Sequence, residues 1–153
     1  MEEKKYILTE ETREIPGRTL YRIEAVKDFS DVKKGEKGGW IESEKNLSHK
    51  GNAWAYGDAV VCGDACVGGD AKVWGNAEVY GDAKIESDKD YIVFKNWWSS
   101  GRYFTWTRSN NKWKVGCFHG TGEELIKKAY ANSNERGREY ERVVRYVESI
   151  LKD

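Results

Sequence analysis

Residues 96–108, NWWSSGRYFTWTR, gather the side chains best suited to hold a ligand. Trp97 and Trp98 are adjacent and a Ser99-Ser100-Gly101-Arg102 turn follows. Tyr103, Thr105 and Thr107 then alternate with Phe104, Trp106 and Arg108. The hydroxyls of Ser99 and Ser100 and the planar guanidinium of Arg102 can hold a phosphate or carboxylate through charge-assisted bonds. Aromatic rings supply flat faces on which a base can stack. Trp97, Trp98, Ser99, Ser100, Arg102, Tyr103 and Arg108 are therefore the candidate binding residues, with a nucleotide-like small molecule as ligand. The same residue types also make a protein–protein hot spot. A purely structural reading puts Phe104 and Trp106 in a core against a helix at 143–150, with Trp97 and Trp98 covering a neighbouring element.

Other candidates for chemistry are few. His49 and His119 are the two histidines, too few for a zinc hydration site built from several neutral imidazoles. No metal or cofactor is expected. His49, in the irregular unit NLSHK, can serve as the base that acyl transfer to a hydroxyl or amine requires. The plainer readings make His49 a solvated turn residue and His119 a loop or capping residue. Cys62, Cys66 and Cys117 fit no zinc spacing and read as reduced thiols of a cytosolic protein. Cys117 reads as a core strand residue. It lies two residues from His119, but no third group is evident to orient the pair as a nucleophile and base.

These residues need a scaffold, and a repeat supplies it. From Gly51 the chain divides every six residues into GNAWAY, GDAVVC, GDACVG, GDAKVW, GNAEVY and GDAKIE. Two looser units, around Trp40-Ile41 and Asn46-Leu47, precede them in the same frame. Ala in third place and an aliphatic residue in fifth lie two apart, so both point to one side of an extended segment. Gly followed by Asn or Asp makes the corner. Three hexads close one triangular coil, and coils stack at about 4.8 Å. Residue i then lies over residue i+18. That rule stacks Tyr56 on Trp74 and Cys62 near Tyr80, and it sets Trp54 beside Lys72 as a cation–π pair. It also brings Asp64 near Asp82, as solvated corners or as a carboxylate pair for a cation. Tyr56, Trp74 and Tyr80 are candidate oligomer-interface residues. The alternative for the aromatic stripe is packing against the C-terminal segment. So short a stack exposes strand edges and needs a cap at each end.

The flanks read as those caps. Residues 1–38 form an N-terminal β-hairpin cap turning at Pro16-Gly17, and residues 39–86 form the hexapeptide β-helix. Residues 87–153 form a small α+β domain. In it 91–95, 102–108 and 112–118 are strands, with Asn110-Asn111 as a hairpin turn. Thr121 opens a capping-box helix to about residue 130. Tyr140, Val143, Val144, Val147, Ile150 and Leu151 lie at helical spacing. The charge is balanced, with 26 basic and 26 acidic residues. That argues against a dominant role on an extended nucleic acid or a membrane surface, where a basic excess is expected, and leaves room for a local basic patch. No apolar run approaches the roughly 20 residues that span a bilayer.

The run GRTLYRIEAVKDFSDVKKGEKGGWIE with NLSHKGNAWAYGDA resembles phage and prophage hexapeptide-repeat proteins. The stretches SSGRYFTWTR, WKVGCFHGTGEEL and GREY are similar to the terminal domain of that group. The resemblance implies a mainly β fold: a short left-handed parallel β-helix with an N-terminal β-hairpin cap and a C-terminal small α+β domain. The left hand comes from the resemblance, since crossover rules favour the right hand. It implies a cytoplasmic protein of an infected bacterial host. There it would act as a non-enzymatic binding protein against an anti-phage defence system, sequestering a nucleotide-like signal or occupying a host defence protein. Self-association as a trimer or dimer is expected from the flat faces. The alternatives are a hexapeptide acyltransferase using His49, although the stack is short for a pantetheine arm, and a structural trimerisation module.

Overall fold

Each glycine that opens a hexad from Gly51 to Gly81 has φ between 58° and 69°, a region where a Cβ is disfavoured. A Cβ on Gly51 or Gly69 would also lie 2.6 or 2.5 Å from a carbonyl oxygen of the next coil. The chain therefore turns a tight corner every six residues. A computed structural model of the protein describes residues 3–96 and 100–152. It is mainly β, with two helices and several sheets.

The N-terminal strands β1 (Tyr6–Ile15) and β2 (Arg18–Ala25) form an antiparallel hairpin, and β3 (Lys37–Ile41) pairs antiparallel with β2. Six two-residue strands follow: β4 (Trp54–Ala55), β5 (Val60–Val61), β6 (Cys66–Val67), β7 (Lys72–Val73), β8 (Glu78–Val79) and β9 (Lys84–Ile85). They pair in parallel as β4 with β7, β5 with β8 and β6 with β9, always eighteen residues apart, as in Trp54 with Lys72. The result is a three-sided stack. Its interior is the six alanines Ala53 to Ala83 in third place with Ala55, Val61, Val67, Val73, Val79 and Ile85, all fully buried.

The first coil breaks the rule. Trp40 pairs with Val60 and Leu47 bridges to Val67, each twenty residues apart rather than eighteen. Ile41 and Leu47 therefore occupy the fifth place of their units, not the third place that a continuous frame assigns. The extra two residues lie in the corner Ser48-His49-Lys50, where the ring of His49 stacks on Tyr6 at 4.1 Å. Trp54 also departs from expectation. It is fully buried, packed edge-on against Phe29 at 5.3 Å, while Lys72 pairs with Asp31 at 3.5 Å. The N-terminal segment covers this side, which the i+18 rule treated as solvent-facing.

Both ends of the stack are closed by side chains. At the upper end the Lys5 amine donates to Ala53 O at 2.6 Å, and Asn46 Nδ2 donates to Ala65 O at 2.8 Å. At the lower end the three sides leave one strand N–H each. Lys72 N–H donates to Asp88 Oδ1, Glu78 N–H to Thr105 Oγ1 and Lys84 N–H to Ser109 Oγ, at 2.7 to 2.9 Å. Residues 87–90, which include the 3₁₀ turn Asp88–Asp90, are thus part of the lower cap. Such caps deny the edges to other strands.

The C-terminal sheet runs β10 (Tyr91–Lys95), β11 (Tyr103–Thr107), β12 (Lys112–Val115) and β13 (Phe118–Gly120), antiparallel in chain order. Residues 112–118 are not one strand. Gly116, at φ 56°, and Cys117 form a two-residue turn that pairs Val115 with Phe118, consistent with glycine leading such loops. Cys117 is exposed, not a core residue. Helix α1 (Gly122–Asn132) starts at the Thr121 capping box, and α2 (Asn134–Leu151) is capped by Ser133. Among the described residues no helix is long and apolar enough to cross a membrane.

Candidate functional site

Alternation along β11 sends its side chains two ways. Phe104 and Trp106 pack with Trp113, Val115, Leu125, Tyr140 and Val144 in a core between sheet and helices. Thr105 faces the coil stack and caps Glu78. The sheet is therefore covered on both faces, and a ligand must be held at its ends.

At one end Arg102 lies across the turn before β13. A Cβ on Gly116 would come within 3.3 Å of Arg102 Cδ, Nε and Nη1, so the guanidinium arm lies close over this glycine. Arg102, Lys128 and Arg136 line one small notch of about 20 Å³ with Asn132 and Tyr140. Lys128 comes from the end of α1 and Arg136 from the first turn of α2, and Ser133, which caps α2, also ends α1. The helices meet closely there because Gly137 sits against the Tyr130 ring, where a Cβ would lie 2.2 Å away. No acidic residue lines the notch, and among the described residues none of the three cations has an ion-pair partner. Tyr140 is 3% exposed, and its hydroxyl has no hydrogen-bond partner among the described residues. Three cations converging on one notch without an acidic residue in its lining have the charge to suit an anion.

The expected binding residues do not form one constellation. Trp97, Trp98 and Ser99 lie outside the described residues. Ser100 is spent on the local turn, its hydroxyl accepting Arg102 N–H at 3.2 Å. Tyr103 is partly exposed under the Lys95 ammonium, 5.4 Å from its centroid. Arg108 is at the far end of β11, roughly 20 Å along the strand from Arg102, beside a separate crevice of about 360 Å³ lined by Trp106, Ile150 and Leu151. Arg102 alone reaches the notch. Lys128, Arg136 and Tyr140 were not among the expected site residues. Tyr140 has the spacing of a core residue, and no motif marks the two cations.

His49 is held on both sides. Its Nδ1 accepts Lys5 N–H at 3.2 Å and its Nε2 lies 2.8 Å from Glu44 Oε1. That bond holds the Glu44 carboxyl below its ordinary range. No nitrogen of this ring is left to take a proton from an acceptor. His119 is exposed, its ring lying against Gly81, in an apolar crevice of about 390 Å³ with Tyr80, Lys114, Pro16 and Cys117. Burial first, then Lys112 and Lys114, hold its pKa below the usual imidazole value.

Tyr56 and Trp74 stack at 3.7 Å, as the i+18 rule requires, and Trp74 is 49% exposed. Tyr80 is at another corner, its ring under the Lys114 ammonium at 4.6 Å. Asp64 and Asp82 each have a side-chain partner: Lys45 bonds the first at 2.9 Å and Asn110 the second at 3.1 Å. Among the described residues no three His, Cys, Asp or Glu side chains gather as a metal set.

No protein-family profile matches the chain. Over 61 residues, 35% of the chain, it is 39% identical to the uncharacterized acetyltransferase YdcK of Escherichia coli strain K12. The matched stretch is 19% of that protein's length, so the likeness is to a part of it.

Proposed function

We propose that the protein is a non-enzymatic, phage-type binding protein that captures a nucleotide-like anion and withdraws it from a host defence system. The observation that supports this reading is the notch of Arg102, Lys128 and Arg136, three cations with no acidic residue in its lining and no ion-pair partner among the described residues. In a chain of zero net charge, such a local excess of cations favours an anion. On this reading the coils wind left-handed, and copies associate as a trimer or dimer through the Tyr56–Trp74 face in the host cytoplasm. A thermal-shift screen with nucleotides, cyclic oligonucleotides, adenosine-diphosphate-ribose derivatives and acyl-coenzyme A tests it, because a captured ligand stabilises by mass action. A shift that Arg102→Ala abolishes, with the ligand recovered unchanged, is the expected result. No shift with any of them removes the small-molecule reading and points to a host defence protein as the partner.

A second reading, acetyl transfer, is favoured by the partial likeness to an uncharacterized acetyltransferase. The base would be His119 rather than His49, because His119 makes no hydrogen bond among the described residues and its lowered pKa keeps it neutral near pH 7. Turnover of acetyl-coenzyme A that His119→Ala abolishes and His49→Ala retains would establish it.

A further inference from the structure

We propose that two copies of the chain pair through the outer edge of β10, antiparallel about Val93, so that their C-terminal sheets run on as one. The proposal rests on the self-association reading and names its surface and symmetry. In its sheet β10 pairs with β11 alone. Arg108 N–H donates to Asp90 O and Asn96 N–H to Arg102 O, both at 2.9 Å. Along an antiparallel strand every second residue turns its backbone the same way, so Ile92 and Phe94 also bond β11. Tyr91, Val93 and Lys95 turn their N–H and C=O groups outward, where among the described residues no strand pairs with them.

The other edges are guarded. The register of β1 shifts between Leu8 and Thr12, beside Glu10, Glu11 and Glu14. Strand β13 is only Phe118–Gly120, and the coil edges end on their caps. Bulges, charges, short strands and covers are the means by which proteins stop edge pairing. Residues 91–94, YIVF, carry none of them and are β-branched or aromatic throughout. The edge also continues the Tyr56–Trp74 face, because the Tyr91 hydroxyl donates to Lys72 O at 2.6 Å, two residues before Trp74.

The symmetry of this edge selects a second copy as its occupant. With Val93 on a two-fold axis, Val93 meets its own copy and Tyr91 meets the partner's Lys95, and each pair exchanges both N–H···O bonds. No like charges oppose, and an ammonium meets a phenol ring, as Lys95 already meets Tyr103. Helix α2 obeys the same axis, because it runs antiparallel to β10. Ile150 and Leu151 share a crevice with Tyr91 and Ile92, Tyr146 packs edge-on against Phe94 at 6.1 Å, and Arg142 shares a second crevice with Phe94 and Lys95. Tyr146, 57% exposed, therefore lies beside the axis, where its copy covers it. The two α2 helices run antiparallel, which brings Arg142 to the C-terminal end of the partner's helix, where the last carbonyls carry partial negative charge. An extended segment of another protein would bond the same edge, but it brings neither a helix to cover Tyr146 nor that opposite charge.

Sedimentation velocity of the full chain, with amide hydrogen exchange over a range of concentrations, tests the pairing. The expected result is a dimer in which the Tyr91, Val93 and Lys95 amides exchange about tenfold or more slowly in concentrated than in dilute protein. Val93→Pro removes an outward N–H at an edge position, where proline is tolerated, and it should sediment as a monomer with an unchanged circular dichroism spectrum. Tyr146→Glu, on the exposed helix face, should do the same without touching the strand. A trimer, or a dimer that survives both substitutions but not Trp74→Glu, overturns the β10 pairing and leaves the Tyr56–Trp74 face as the interface. A wild type that is monomeric at every concentration overturns the self-association reading as well, and leaves the edge to an extended segment of another protein.

Discussion

The Thr105 hydroxyl, on the coil-facing side of β11, accepts the Glu78 backbone N–H at 2.9 Å. That bond joins the last coil to the sheet whose other face carries the helices and the notch. With Asp88 and Ser109 it closes the lower edge of the stack, and it is the buried member of the three. Thr105→Val keeps the shape and removes the acceptor, leaving the Glu78 N–H unpaired at a cost of about 1–3 kcal/mol. Thr105→Ser should recover most of it. Urea unfolding of the three proteins measures this directly, and equal midpoints for Val and wild type would show that the lower cap contributes nothing.

The crossing of α1 and α2 depends on Gly137. In an ordinary helix interior Gly→Ala gains about 1 kcal/mol from propensity. Here the added Cβ would lie 2.2 Å from the Tyr130 ring, so Gly137→Ala should destabilise by about 1–3 kcal/mol through overpacking. Pairing it with Tyr130→Ala should remove the clash. A double-mutant cycle by thermal unfolding reads the coupling, and strictly additive effects would contradict the close crossing.

What could be read in advance depended on whether spacing alone carried the information. The hexads from Gly51 obey one period, so the buried alanines, the aliphatic row and the Tyr56–Trp74 stack were all legible. The first coil was not, because two extra residues at 48–50 shift Ile41 and Leu47 by two places, and no glycine marks the insertion. Cys117 was misplaced because Gly116-Cys117 sits inside an apolar run that scans as one strand. The cationic notch is a tertiary object. Arg102 comes from a turn, Lys128 from a helix end and Arg136 from a helix start, and nothing in the chain's local pattern brings them together.

Self-association can be tested at Trp74. Its ring is stacked on Tyr56, whose hydroxyl is fixed by Asp31 at 2.6 Å, so a rigid aromatic face is presented to solvent. Rigid aromatic surface is favourable interface material. If copies associate through this face, Trp74→Glu should convert the assembly to monomers in sedimentation velocity. Trp74→Phe should keep it. An unchanged sedimentation coefficient in Trp74→Glu would move the interface elsewhere.

Lys5 gives the upper cap a pH dependence. Its side chain is almost wholly buried, donating to Ala53 O and Gly51 O. Burial, then the nearby Lys27, lowers its pKa from 10.5 to about 8. Below pH 8 both folded and unfolded chains hold the proton, so the full cost of burying the ammonium is present. Between pH 8 and 10.5 the folded protein loses its proton first, the unfolded chain binds more protons, and stability rises with pH. The gap between the two values amounts to about 3 kcal/mol. Other groups titrate in this range, so the quantity to measure is the difference from Lys5→Met, which has no proton to lose. Urea unfolding at intervals from about pH 6.5 to about pH 10.5 should show wild type gaining on Lys5→Met by up to about 3 kcal/mol, with half the rise above about pH 9. A difference that stays flat would mean that Lys5 keeps its ammonium in the fold, and that the Ala53 and Gly51 carbonyls hold it as a charged cap.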